Sequence, residues 1–153
     1  MTPGNYHIRV SSEECTDSTW WYTVRDSSDS KVIYADASDP VPSVGVFKVS
    51  VDSYWTIKLH SNTEPACTIN HDSNFKCVNK GYPVADWWEA IPVTCGCEED
   101  ANAAENCYVL RNVEFGEFVK FDQPPTKRLN GKGTNRIEDA AKILFELITA
   151  WSF

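Results

Sequence analysis

Apolar and polar residues alternate most regularly in residues 43–60, SVGVFKVSVDSYWTIKLH. The apolar positions are Phe47, Val49 and Val51 in one run and Trp55, Ile57 and Leu59 in the next. Successive side chains on a strand point to opposite faces, so each run has one apolar face and one wet face. The pattern predicts a β-hairpin at the centre of the domain, with Asp52-Ser53 at its turn.

Shorter segments predict further strands on both sides of this hairpin. They cover residues 6–10, 20–25, 31–36, 87–94, 108–113 and 115–121. Polar connections predict that the second and third of them form one hairpin, and that the last two form another, with Glu114 or Gly116 at the bend. Residues 61–86 are predicted to be a loop, apart from short strands beside Cys67 and Cys77.

The end of the chain has a helical rather than an alternating pattern. Its apolar stripe recurs every three or four residues and comprises Ile137, Ala140, Ala141, Leu144, Leu147, Ile148 and Trp151. Asn135 is suited to be an N-cap, and Glu138 follows it by three residues, as in a capping box. We expect an α-helix over about residues 136–151 that packs on an open sheet face, rather than a membrane or partner-binding helix.

Together these elements predict a mainly β protein. The expected fold is an antiparallel β-sandwich or flattened β-barrel of about eight strands with one C-terminal α-helix. A chain of 153 residues is expected to form one domain, residues 1–153, and to bury about 68–70% of its unfolded surface.

The cysteine content predicts three disulfides. The six cysteines are Cys15, Cys67, Cys77, Cys95, Cys97 and Cys107. They allow fifteen complete pairings, which the sequence cannot resolve. Spacing weakly favours Cys67 with Cys77 and Cys97 with Cys107, because each pair brackets a polar loop; Cys15 would then pair with Cys95.

A zinc site is the alternative use of these cysteines. The Cys95-Gly96-Cys97 pair would need Cys77, Cys107 or His71 to complete a tetrahedral shell. Structural zinc sites commonly contain two C-x2-4-C or H-x3-5-H units, and none is present. We therefore expect no metal and no cofactor.

Charge and hydropathy exclude some classes of partner. The net charge of −8 argues against a general nucleic-acid binder, because phosphate contacts need clustered Lys and Arg. No stretch approaches the ~20 apolar residues of a membrane span. We interpret Met1 as an addition to a mature domain released from a longer precursor. A native cytosolic start with six free thiols is the alternative.

Candidate catalytic motifs are weak. There is no G-x-S-x-G sequence, and His7, His60 and His71 lack a recognisable catalytic neighbourhood. The carboxylates are too numerous for a glycosidase pair to be specific. Residues 130–134, NGKGT, are similar to a phosphate-binding loop but lack its earlier glycine, and Gly133 replaces its Ser or Thr. We expect a flexible basic loop over residues 126–134 and no catalytic residues.

Two tryptophan pairs supply candidate binding residues. In Trp20-Trp21 and Trp87-Trp88, neighbouring strand positions face opposite ways, so one tryptophan of each pair should lie outside the core. An exposed tryptophan can anchor a sugar ring or a protein partner. The candidate anchors are Trp21 and Trp88, unless the helix or a disulfide-bound loop covers them. The basic loop adds Lys127, Arg128 and Lys132 as candidate contacts.

The six cysteines, the Cys95-Gly96-Cys97 pair and the β-rich body resemble those of small secreted effectors and host-selective toxins of plant-pathogenic fungi. The resemblance implies a secreted, extracellular protein that binds a host plant protein without catalysis, and we expect it to be a monomer. A carbohydrate-binding module that uses exposed tryptophans is one alternative. A small secreted hydrolase is another.

Overall fold

The computed structural model describes residues 1–11, 21–26, 33–36, 46–53, 56–61, 66–69, 75–78, 86–94, 107–121 and 129–148. Twelve strands lie in these ranges: β1 (Gly4–Ser11), β2 (Trp21–Asp26), β3 (Ile33–Asp36), β4 (Val46–Ser53), β5 (Thr56–Ser61), β6 (Ala66–Ile69), β7 (Phe75–Val78), β8 (Trp87–Pro92), β9 (Cys107–Asn112), β10 (Phe118–Phe121), β11 (Leu129–Thr134) and β12 (Ile143–Leu147). Within the described residues, the helical structure is one 3₁₀ turn, Ile137–Asp139.

Six strands close into a barrel. Its order is β1-β4-β5-β8-β9-β12, and β12 pairs with β1 to complete the ring. All these pairings are antiparallel. A closed ring leaves its strands without unpaired edges. The barrel alternative of the sequence prediction is therefore correct, and the β-sandwich alternative is wrong.

The other six strands form three hairpins, β2–β3, β6–β7 and β10–β11, one for each third of the barrel. Within each four-strand unit, the first strand pairs with both the second and the fourth. The third strands of the three units, β3, β7 and β11, contact one another. Three such units around one axis make a β-trefoil. The described strands number twelve rather than about eight because four segments were not predicted as full strands: β6 and β7 were expected only as short strands in a loop, β11 as a loop and β12 as a helix.

Large apolar side chains fill the barrel and the space under the hairpins. Those almost completely buried include Trp88, Phe47, Phe75, Phe145, Ile57, Leu59, Ile69, Leu110, Leu129, Ile143 and Val10. The phenyl ring of Phe145 makes edge-to-face contacts with Tyr6 and Tyr108, with both pairs of ring centroids 5.8 Å apart. The core is therefore built from all three units.

The predicted central hairpin is confirmed as β4 and β5, but its predicted turn is wrong, because Asp52 and Ser53 are the last residues of β4 and Ser53 pairs with Thr56. Phe47 and Val49 on β4 and Ile57 and Leu59 on β5 face the core, as the alternation indicated. Val51 is an exception, since its side chain is 37% exposed. The register shifts after Val51, and this irregularity takes the end of β4 out of the regular pattern.

The predicted C-terminal helix is wrong. Residues 143–147 form β12, which lies between β1 and β9 in the barrel, and residues 149–153 lie outside the described part of the chain. Ile143 and Phe145 enter the core, although Phe145 is not on the helical stripe, whereas Leu147, which is on it, is 51% exposed. The segment also has a period-2 apolar pattern. As a strand it pairs with both β1 and β9, and this tertiary pairing outweighs its helical pattern.

The predicted basic loop is also wrong in its second half, and so is the phosphate-loop alternative. Residues 129–134 form strand β11, which pairs with β10. Its glycines serve close packing: a Cβ on Gly131 would lie 2.0 Å from the Cγ2 of Ile69, and one on Gly133 would lie 2.3 Å from the Cβ of Lys120. Glycine inside a strand is typical of such close approach.

One predicted disulfide is confirmed in full. Cys67 and Cys77 are direct partners across β6 and β7, and they are joined by a disulfide. Cys107 is also disulfide-bonded, to a partner outside the described residues. Cys15, Cys95 and Cys97 lie outside the described residues, so the other predicted pairings stay predictions.

Candidate functional site

The link between β9 and β10 is a tight turn, here called the Asn112 turn (residues 112–117, NVEFGE). Asn112 is completely buried, and its side-chain Oδ1 accepts hydrogen bonds from the backbone N–H groups of Glu114 and Phe115, at 3.0 and 3.1 Å. An asparagine that accepts bonds from the backbone just after it is a common way to fix a turn. The local sequence thus supplies its own scaffold.

Backbone hydrogen bonds hold both ends of the Asn112 turn. The Gly116 N–H donates to the Asn112 carbonyl at 2.8 Å, and the Asn112 N–H donates to the Glu117 carbonyl at 2.9 Å. Gly116 has φ of +68°, a left-handed conformation that glycine adopts without steric cost. The Val113 N–H donates to the Trp87 carbonyl at 3.1 Å, which ties the turn to the start of β8.

The Asn112 turn presents two apolar side chains to solvent. Val113 is 42% exposed and Phe115 is 41% exposed. Single exposed apolar residues are ordinary on a protein surface. Val113 and Phe115, however, lie only two residues apart on a turn whose backbone is fixed by hydrogen bonds. Together they form a preorganised apolar tip. Such a tip can enter a pocket with little loss of conformational entropy.

The barrel wall beside the turn is already internally paired. The Nζ of Lys58 lies 4.5 Å from the centre of the Trp87 ring, and these two residues are partners across β5 and β8. Arg111 forms an ion pair with Glu89 at 2.7 Å across β8 and β9. The same guanidinium lies 5.8 Å from the Phe118 ring centre. These wall residues are engaged with one another, whereas Val113 and Phe115 are two of the five large apolar side chains that are exposed among the described residues.

The similarity of this chain to known proteins is structural. No protein-family model matches the sequence, and no curated protein matches it. Among solved structures, the chain is similar to a designed 3-fold symmetric protein, ThreeFoil. The TM-score is 0.68, with 8% sequence identity over 95% of this chain and 99% of that one. The likeness is one of fold alone. It agrees with the three four-strand units traced above, and in those terms the Asn112 turn joins the first two strands of the third unit.

The structure corrects one predicted site residue. Trp88 is completely buried. Its indole N–H donates to the Cys67 carbonyl at 3.2 Å, and its ring packs edge-to-face on Phe75, with centroids 4.8 Å apart. The pair 87–88 does alternate, but its partly exposed member is Trp87. Trp88 faces the interior because the β6–β7 hairpin lies over it, so it is not a surface anchor.

The structure does not describe the side chains of the other predicted binding residues. The side chains of Trp21, in β2, and Lys132, in β11, are outside what the structure describes. Lys127 and Arg128 lie outside the described residues altogether. Their roles stay predictions, and the candidate site is built without them.

Sequence reasoning placed a bend at Glu114 or Gly116 but did not recognise it as a site. The signal was an asparagine followed four residues later by glycine, with apolar residues between them. That pattern indicates a fixed turn with exposed apolar side chains once β9 and β10 are known to be strands.

Other kinds of site have little support in the described part of the chain. No group of three or more His, Cys, Asp or Glu side chains there is arranged to hold a metal ion. Over the same residues, no helix has the length and apolar character needed to cross a membrane.

Proposed function

We propose that this protein is a secreted, non-catalytic binding module that recognises another protein through the Asn112 turn. The observation that carries the proposal is the exposure of Phe115 and Val113 on a turn held by Asn112. Aromatic residues, phenylalanine among them, are enriched in the buried core of protein–protein interfaces. A partner pocket that receives Phe115 would meet a residue whose backbone is already in position.

Two features support the extracellular part of the proposal. The Cys67–Cys77 disulfide and the disulfide of Cys107 are of a kind that persists in oxidising compartments and is rare in the cytosol. The resemblance to small secreted fungal effectors implies a host plant protein as the partner. We adopt that partner class, and a monomeric binding unit, as parts of the proposal.

The structure favours protein over carbohydrate as the ligand of the described surface. A carbohydrate platform needs an aromatic face open to a sugar ring. Trp88 is enclosed, and the Lys58 ammonium lies over the ring of Trp87. Phe115, at the tip of a turn, is better placed to enter a pocket than to act as a flat platform.

The test compares matched variants in one capture experiment. Immobilised oxidised protein, Phe115→Ala and Ile137→Ala are exposed in parallel to plant apoplastic fluid. Ile137 is a suitable control because it is an apolar residue of similar exposure, 44%, that lies on the 3₁₀ turn and not in the Asn112 turn. We expect a protein that is retained by the wild type and by Ile137→Ala and lost with Phe115→Ala. Equal capture by all three would refute the proposed site.

A further inference from the structure

The apolar tip of the Asn112 turn carries negative charge on both sides. Glu114 is exposed and precedes Phe115 directly, and Glu117 is partly exposed two residues after it. The whole chain has a net charge of −8. A surface that docks against this tip must therefore approach through a negative potential.

Nearby cations do not neutralise these acids. Among the described residues, neither Glu114 nor Glu117 forms an ion pair. Arg111, on the adjoining strand, is engaged by Glu89 at 2.7 Å. The Lys58 ammonium lies over the ring of Trp87. Arg111 and Lys58 are thus engaged by partners on the barrel wall rather than by the glutamates of the turn.

We propose, in an inference that rests on the proposed function, that the partner's pocket for Phe115 is apolar and is rimmed by Lys or Arg side chains. The aromatic ring would supply the buried centre of the interface, and the two glutamates would lie at its rim. Rim charges contribute chiefly to association rate and to discrimination between partners. An acidic or neutral pocket of the same shape would be disfavoured by the desolvation and repulsion of Glu114.

A random dodecapeptide library displayed on phage provides the probe. It is panned against the oxidised wild-type protein at low salt, and each enriched peptide is then synthesised and titrated. We expect enriched peptides to combine apolar residues with Lys or Arg. Their affinity should fall roughly two- to fivefold for each of Glu114→Gln and Glu117→Gln, as expected for exposed charge pairs. Glu138→Gln, on the 3₁₀ turn, is the matched control and should leave affinity unchanged.

The outcomes separate this inference from the function on which it rests. Peptides that require Phe115 but contain no Lys or Arg, or that bind Glu114→Gln and Glu117→Gln as tightly as the wild type, overturn the basic rim and leave the Phe115 site intact. Peptides that bind Phe115→Ala as tightly as the wild type overturn both. Failure to enrich any peptide also counts against the inference, because a preorganised tip should select complementary sequences.

Discussion

Gly131 lies against Ile69 so closely that a Cβ at position 131 would be 2.0 Å from the Ile69 Cγ2. The same Cβ would be 3.3 Å from the Cη2 of Trp88. Gly131 is on β11 and Ile69 on β6, so this contact joins hairpins of two different units. A glycine that looks like a loop residue in the sequence is in fact required where the hairpins meet.

Gly131→Ala should therefore destabilise the fold. Overpacking a filled core costs about 1–3 kcal/mol, and each kcal/mol lowers the Tm of a domain of this size by about 2–4 °C. Thermal or denaturant unfolding measures the loss. Combining the change with Ile69→Ala, which removes the clashing Cγ2, should make its added cost smaller. If the two effects were simply additive, the close approach would not be the cause.

Phe145→Ala and Leu147→Ala distinguish strand β12 from the helix that the apolar stripe predicts. Phe145 is completely buried, so its truncation should cost about 3–5 kcal/mol. Leu147 is 51% exposed, and its truncation should cost only about 0.5 kcal/mol. Urea unfolding of both variants gives the comparison. A helix with its stripe inward would reverse the order.

Asn112→Ala should loosen the Asn112 turn. The change leaves the backbone N–H groups of Glu114 and Phe115 without their acceptor, at a cost of about 1–3 kcal/mol. Hydrogen exchange should accelerate at these two amides, while the amide of Leu59 in the barrel should change only as much as global stability does. Unchanged protection at Glu114 and Phe115 would show that another feature fixes the turn.

Stability should fall at alkaline pH through Tyr6. Burial raises the pKa of the Tyr6 phenol, and the neighbouring Tyr108 raises it further. The unfolded phenol, with a pKa of about 10, loses its proton before the folded one, so the unfolded state binds fewer protons in this range. The contribution is fully present below about pH 10 and is lost as pH rises through the folded pKa. In Tyr6→Phe the free energy of unfolding should decline less steeply above pH 10, and identical slopes would contradict the assignment.

Strands were predictable wherever alternation was local and strong. The central hairpin, β1 and the β9–β10 hairpin all show it, and Phe47 and Ile8 face the core as expected. The segment after Asn135 misled the prediction because Ile143–Leu147 satisfies both periods. A strand in a closed barrel is stabilised by partners on both sides, and neither β1 nor β9 is near β12 in sequence.

The candidate site was predictable only as a bend. Its asparagine, glycine and apolar residues are visible in the sequence, but the exposure of Phe115 depends on how β9 and β10 pack in the third unit. For Trp88 the strand was predicted, but the burial of the side chain was not. That burial depends on the β6–β7 hairpin, in which the Cys67 carbonyl accepts a hydrogen bond from the Trp88 indole N–H.

By itself the sequence determined that the chain is mainly β, which segments alternate, and that cysteines cross-link it. These properties depend on neighbouring residues. The tertiary structure decided the closure of six strands into a ring, the strand at the end of the described chain and the surface that is offered to a partner. Pairing Tyr6 with Leu147 joins opposite ends of the chain. The free energy of such a contact comes from packing between distant segments, which a local pattern does not contain.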